Sequence, residues 1–184
     1  MIFDLIHKRR SVFPQQYNDR PIDRKTLERI LEAANWAPTH KRTEPWRFKV
    51  FTGQAKEDLG NFLANKYQEV DPRPQQVKIR KFRENPSRSA AVIAICMQRD
   101  PLQGLPEWEE VAATAMAVQN MWLCCTELGI GSYWSSPGLI QYLGEFTPMG
   151  EGEKCLGLFY MGHYDGEPEV PTRGDMADKV VWLD

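Results

Sequence analysis

Apolar residues recur at helical intervals along much of the chain. Leu27, Ile30, Leu31 and Ala34 share one face, while Arg24, Lys25, Glu28, Arg29 and Glu32 take the other, which predicts an amphipathic helix. Asp23 stands at its N-cap position, and the pattern ends at Trp36, just before Pro38. Upstream, Ile2, Leu5 and Ile6 predict a short helix over residues 2–8 that buries those three side chains. Downstream, Trp46, Phe48 and Val50 alternate with Arg47 and Lys49, the period of a strand over 46–51. Leu59, Phe62, Leu63 and Tyr67 define the face of another helix. Residues 70–88 carry the weakest apolar pattern and five cations from Lys78 to Arg88; they read as a solvated helical excursion, a mobile lid over a pocket. Residues 90–98 form an unbroken apolar run of the length of a central strand buried on both faces. Residues 107–128 give the longest helix, apolar nearly all round from Ala112, which a water-soluble protein must bury completely under its sheet or at a subunit interface. Gly129 suits a left-handed cap. A short helix over 139–146, a strand over 154–164, an extended proline-bearing stretch over 167–173 and a terminal strand over 179–183 complete the pattern.

Composition narrows what such a chain can be. With 184 residues, 42% of them hydrophobic, the expectation is a single domain spanning 1–184 with a substantial core. A net charge of -2 and a pI near 6.0 speak against nucleic acid as the main partner. Neither a signal peptide nor an apolar run of membrane-spanning length is seen, so the expected location is cytoplasmic, without membrane association. Cys96, Cys124, Cys125 and Cys155 lie in apolar surroundings, with no paired spacing of a zinc or redox motif; buried free thiols are expected. His7 and His163 have no partner at metal-ligand spacing, so no metal site is expected.

Three stretches carry candidate chemistry. Residues 37–48 join the second helix to the first strand and place Thr39, His40, Lys41 and Arg42 between Pro38 and Pro45. Binding groups often occupy such loops between rigid elements, and a solvated turn is the plain alternative. Arg9, Arg10 and Ser11 follow the first helix. Paired guanidiniums with a hydroxyl suit a phosphate dianion, whereas cations at a helix C-terminus can serve the dipole alone. Residues 129–138 hold three glycines and the pair Ser135 and Ser136 beside Tyr133 and Trp134. Such a backbone can approach a planar ligand, or can simply turn tightly from helix to strand.

Taken together, the Arg9-Arg10-Ser11 opening, the loop 37–46 and the helix 112–128 with its glycine turn and Trp134 resemble the FMN-dependent nitroreductase family. The resemblance extends over essentially the whole chain and is nearest to small members with Ala-Pro-x-His-Lys in the loop, described as NAD(P)H nitroreductases. It implies an α+β fold with a mixed, mainly antiparallel sheet flanked by helices, in a domain-swapped homodimer with two FMN molecules at the interface. Arg9, Arg10 and Ser11 would then hold phosphate and ribityl chain, with Arg173 as a further phosphate contact. Thr39, His40 and Arg42 would reach the cofactor from the partner subunit. Trp134, Ser135 and Ser136 would line the isoalloxazine, and residues 124–129 would neighbour the nicotinamide donor. Phe13 stands where many members carry another arginine; Arg42 and Glu44 replace the loop's asparagine and glutamine. The implied activity is ping-pong reduction of nitro-aromatic, quinone-like or related acceptors by NAD(P)H through flavin N5, with no residue assigned as catalytic acid or base. The alternatives are another flavin reaction, such as dehalogenation or oxidation, and a non-enzymatic flavin-binding or interaction module.

Overall fold

The computed structural model describes residues 1–102 and 104–183. Helices α1 (Ile2–Lys8), α2 (Arg24–Asn35), α3 (Gln54–Val70), α4 (Gln76–Arg88) and α5 (Glu107–Glu127) surround strands β1 (Trp46–Phe51), β2 (Ala91–Gln98), β3 (Ile130–Ser135) and β4 (Glu153–His163). The sheet order is β1-β2-β4-β3. All its ladders are antiparallel, so the α+β class holds, while the mixed character expected of the sheet is not found among the described residues. Asp23 caps α2 as anticipated, its carboxylate accepting from the Thr26 amide at 2.8 Å.

Because both faces of the sheet are covered, the core splits in two. On one face Ile93, Ile95, Phe159 and Met161 meet α2 and α5 through Ile30, Ala117, Val118 and Met121. On the other, Val92, Ala94, Leu158 and Tyr160 meet α3, α4 and the 3-10 turn Gly138–Glu145 through Leu59, Leu63, Ile79 and Leu143. Residues 91–97 of β2 are buried throughout, which explains their uninterrupted apolar run. Residues 76–88 form α4, which lies against α3: a Cβ on Gly60 would sit 2.6 Å from the carbonyl oxygen of Arg83. At its N-terminal end α5 is tied to the sheet by a buried ion pair. Glu110, 1% exposed, pairs with Arg99 and accepts from the Asp100 amide at 2.8 Å, while Arg99 also donates to the Leu105 carbonyl at 3.0 Å.

The expectations for α1 and for residues 179–183 fail for one physical reason, and one chain by itself covers α5 only in part. α1 buries none of its residues: Ile2 and Ile6 are 59% and 46% exposed. α5 covers the sheet with Ala113, Ala117, Val118 and Met121 but leaves Trp108 and Met116 on an open side. Residues 179–183 are not a strand; Ala177–Lys179 make one 3-10 turn, and Val180 to Leu183 run exposed beyond it. A strand needs a ladder partner and an apolar helix face needs a cover, and one copy of the chain supplies neither to these segments.

The Glu110 anchor and the Asp23 cap give a graded expectation for stability. Glu110→Ala strands the Arg99 guanidinium and should cost about 3–5 kcal/mol, against about 1 kcal/mol for Asp23→Ala. Chemical denaturation of the two variants beside the parent protein checks both the order and the gap.

Candidate functional site

The segment after α1 is held in place from both sides. Trp122 Nε1 on α5 donates to the Arg10 carbonyl at 3.1 Å, and the Val12 amide donates to the Ser132 carbonyl of β3 at 3.0 Å. Tyr17 Oη adds a bond to the Val12 carbonyl at 2.8 Å. Gly131 makes the approach of Val12 feasible, since a Cβ there would lie 2.9 Å from the Val12 side chain. Gly131 thus accommodates this chain's own Val12 and Tyr164 at that position. Residues 9–11 are consequently fixed backbone with their side chains directed outward.

Those side chains meet the C-terminal tail around a cavity of about 450 Å³, lined by Arg9, Arg10, Ser11, Phe13 and Gln16 on one side and by Pro168, Glu169, Pro171 and Arg173 on the other. A second opening of about 750 Å³ shares Arg9, Arg10, Ser11 and Arg173 and extends along α5 past Gln119 and Trp122. The Arg9 guanidinium lies 4.7 Å above the Trp122 ring, a cation-π contact that limits its rotamers. Burial, with the nearby charges of Arg173 and Arg10, lowers the Arg9 pKa from its ordinary value. Among the described residues, no carboxylate lies within ion-pair distance of Arg9, Arg10 or Arg173. Arg10 also donates to the carbonyls of His7 and Arg9, so it caps the end of α1 as well as facing the cavity.

The loop residues lie elsewhere. His40 Nδ1 meets Glu109 Oε2 at 2.5 Å, and Lys41 Nζ donates to the Gly104 carbonyl at 3.3 Å, which places the loop beside the start of α5. Glu109 and Trp122 are thirteen residues apart on that helix, or about 20 Å along its axis at 1.5 Å per residue. Thr39, His40 and Arg42 therefore do not line the Arg9 cavity of their own chain. Within the loop, Thr39 Oγ1 lies 3.1 Å from Thr43 Oγ1 and accepts from the Glu44 amide at 3.2 Å. Lys41, Arg42 and Glu44 all take positive φ, at 50°, 57° and 43°. Arg42 and Glu44 form no ion pair with each other.

Trp134, Ser135 and Ser136 make a third group at the end of β3. Trp134 Nε1 donates to the Leu156 carbonyl at 3.4 Å, with its ring against Gly157, where a Cβ would come within 2.0 Å of Nε1. None of the three lines the Arg9 cavity. Of the sequence candidates, the structure thus gathers Arg9, Arg10, Ser11 and Arg173, and leaves two further groups apart from them. Trp122, Gln119 and Gln16 were not singled out from the sequence. Trp122 had one visible signal, a polar-tipped ring of large area among mostly small and aliphatic neighbours; Gln16 had none. Among the described residues, no cluster of histidine, cysteine and carboxylate groups could hold a metal ion, and no helix is long and apolar enough to cross a membrane.

The sequence and fold of this chain have counterparts among known proteins. A Bacillus subtilis protein, "Putative NAD(P)H nitroreductase YfhC", is 29% identical over 182 residues, spanning 97% of this chain and 92% of that one. The solved nitroreductase-like family protein from Bacillus cereus superposes with a TM-score of 0.83 at 29% identity, over 100% of this chain and 96% of that one. An FMN and NADPH-dependent nitroreductase, NfnB from Sphigopyxis sp. strain HMH, shares the fold with a TM-score of 0.80 at 20% identity, over 100% and 99% of the two chains. The Nitroreductase family profile matches residues 6–163, and the chain belongs to that family.

Proposed function

We propose that the chain is an FMN-dependent oxidoreductase that uses NAD(P)H to reduce nitro-aromatic, quinone-like or related acceptors. The convergence of Arg9, Arg10 and Arg173 on one cavity, without a carboxylate in ion-pair reach among the described residues, carries this reading. Three like charges brought together are unfavourable unless an anion joins them. The cofactor named for the Sphigopyxis protein and the electron donor named for the Bacillus subtilis relative support the choice of ligand.

The residues present fit a phosphate-bearing cofactor. Arg9 would take the phosphate bidentately, its guanidinium already oriented by the Trp122 ring. Ser11 would donate its hydroxyl, and Arg173 would close the site from the tail. The backbone bonds from Trp122 and to Ser132 keep the donors in place before any ligand arrives, which lowers the ordering cost of binding. Bound FMN would supply the redox chemistry itself, hydride transfer at N5, with donor and acceptor taking turns at the same face. No side chain is required to move a proton for that. His40 lies away from this chain's arginine cavity, with its Nδ1 engaged by Glu109.

The same reading includes a homodimer. β1 is an outer strand of the sheet, and beside it a groove of about 400 Å³ is lined by Ile22, Leu27, Leu31 and Val50, with Arg24, Glu28 and Thr52 among them. An open strand edge beside apolar surface is a template for another strand. Val180, Val181, Trp182 and Leu183 of a second copy have the composition to add there, which would make the swapped assembly. The exposed sides of α1 and α5 would be covered in the same event, and Thr39, His40 and Arg42 would reach the partner's cavity.

Two experiments check these statements. FMN titration followed by flavin fluorescence should show Arg9→Ala weakening affinity by about 2–4 kcal/mol, with little change for Arg83→Ala on α4. Equal losses would mean that the phosphate lies elsewhere, and protein that stays colourless with added FMN would end the flavin reading. For assembly, a chain ending at Met176 should sediment as a monomer at concentrations where the full chain is dimeric. An unchanged dimer would remove the tail from the interface.

A further inference from the structure

A second redox-capable arrangement lies across the sheet from the arginine cavity. Cys96 on β2 and Cys155 on β4 are register partners in the antiparallel ladder. Directly opposed residues in such a ladder have Cα atoms about 4.5–5.5 Å apart, within the roughly 4.4–6.8 Å that a disulfide spans. The pairing depends on an irregularity. Ile95 pairs with Gly157 and Cys96 with Cys155, so Leu156 is one extra residue in β4. In an unbroken ladder Leu156 would face Cys96. The bulge sends Leu156 to the face occupied by α2 and α5, and brings Cys155 onto the opposite face beside Cys96. Re-aiming one side chain is what a bulge does.

We infer that Cys96 and Cys155 form an oxidative modification site, which a hydroperoxide converts to a cross-strand cystine. The roles of the two thiols differ. Cys96 is fully buried, whereas Cys155 is partly open and is the one a small oxidant reaches. Lys49, paired with Glu153 at 2.7 Å, stands near both cysteines. The adjacent Cys96 thiol holds Cys155 below the usual thiol range, against burial and the Glu153 carboxylate, while the same contact and burial push Cys96 upward. Its exposure makes Cys155 the attacking sulfur, and the direction of the shift agrees, since the thiolate is the nucleophile.

In the first step the Cys155 thiolate attacks a peroxide oxygen, the O–O bond breaks, and hydroxide leaves to be protonated to water. Cys155 becomes a sulfenic acid. Cys96 sulfur then attacks it; the S–S bond forms, and the sulfenic oxygen departs as water with the Cys96 proton. Two thiols lose two electrons, hydrogen peroxide gains them, and two waters result. Cys124 and Cys125, neighbours on α5, lie on the other side of the sheet and take no part. The crosslink would fix the bulge whose extra residue, Leu156, accepts from Trp134.

The test uses the full chain as purified, treated with one equivalent of hydrogen peroxide, digested without reductant and analysed by mass spectrometry. The expected result is a single Cys96–Cys155 linked peptide, with titratable thiols falling from four to two and recovering with dithiothreitol. In Cys96→Ala, which lacks the resolving thiol, dimedone should label Cys155 instead. Four surviving thiols, a cystine that joins other residues, or dimedone labelling absent from Cys155 in that variant would overturn the proposal.

Discussion

Residues 91–97 lie with neither face in water, and that burial determines how the rest of the chain can be arranged. A strand without a solvent side needs a layer of helices on each face. The chain supplies α2 and α5 to one and α3, α4 and the turn at 138–145 to the other. With both layers committed to the strand pair β2–β4, polar chemistry is displaced to the rims of the sheet and the outer sides of the helices. Each candidate group lies there: Arg9 to Ser11 beside the outer strand β3, the loop 39–44 at the entry to β1, and Trp134 to Ser136 where β3 ends.

Position along α5 then separates those groups. The helix acts as a ruler of 21 residues, with the His40 contact near one end and the Arg9–Trp122 contact past its middle. One chain gathers Arg9, Arg10, Ser11 and Arg173 around a cavity but keeps its loop of hydroxyl, imidazole and guanidinium groups remote from it. The exposed apolar sides of α1, α5 and the tail are features of that same isolated chain. The proposed dimer would cover the one and complete the other, which is why the assembly and the cofactor belong to one proposal.

Much of this was legible in the sequence because burial writes a period into it. Leu27, Ile30 and Ala34 gave α2 and its cap, residues 91–97 gave the doubly buried strand, and Gly129 gave the left-handed cap at φ 65°. The failures came where the period reports apolarity without naming what covers it. Ile2 and Ile6 have the spacing of a packed face and remain open; residues 179–183 have strand composition and no ladder. In the site, Arg9, Arg10 and Ser11 were visible because they are adjacent. Trp122 lies 112 residues from the Arg10 carbonyl it bonds, and no local pattern carries such a contact. The bulge at Leu156 was equally hidden, since an extra residue in a ladder shows only when both strands are paired.

The left-handed turn in the loop has a cost at one position. Among L-residues, asparagine tolerates a positive φ best, because its short polar side chain bonds locally. Position 42, where the resemblance has asparagine, takes φ 57° here. The asparagine of that pattern is therefore suited to the backbone as well as to any ligand. Arginine follows the same path without that ease, at roughly 1 kcal/mol or more for a residue outside its preferred region. That conformational burden is carried continuously, in every folded copy of the chain. What position 42 gains for that cost is a guanidinium at the end of the side chain, on a bend that asparagine would make more easily.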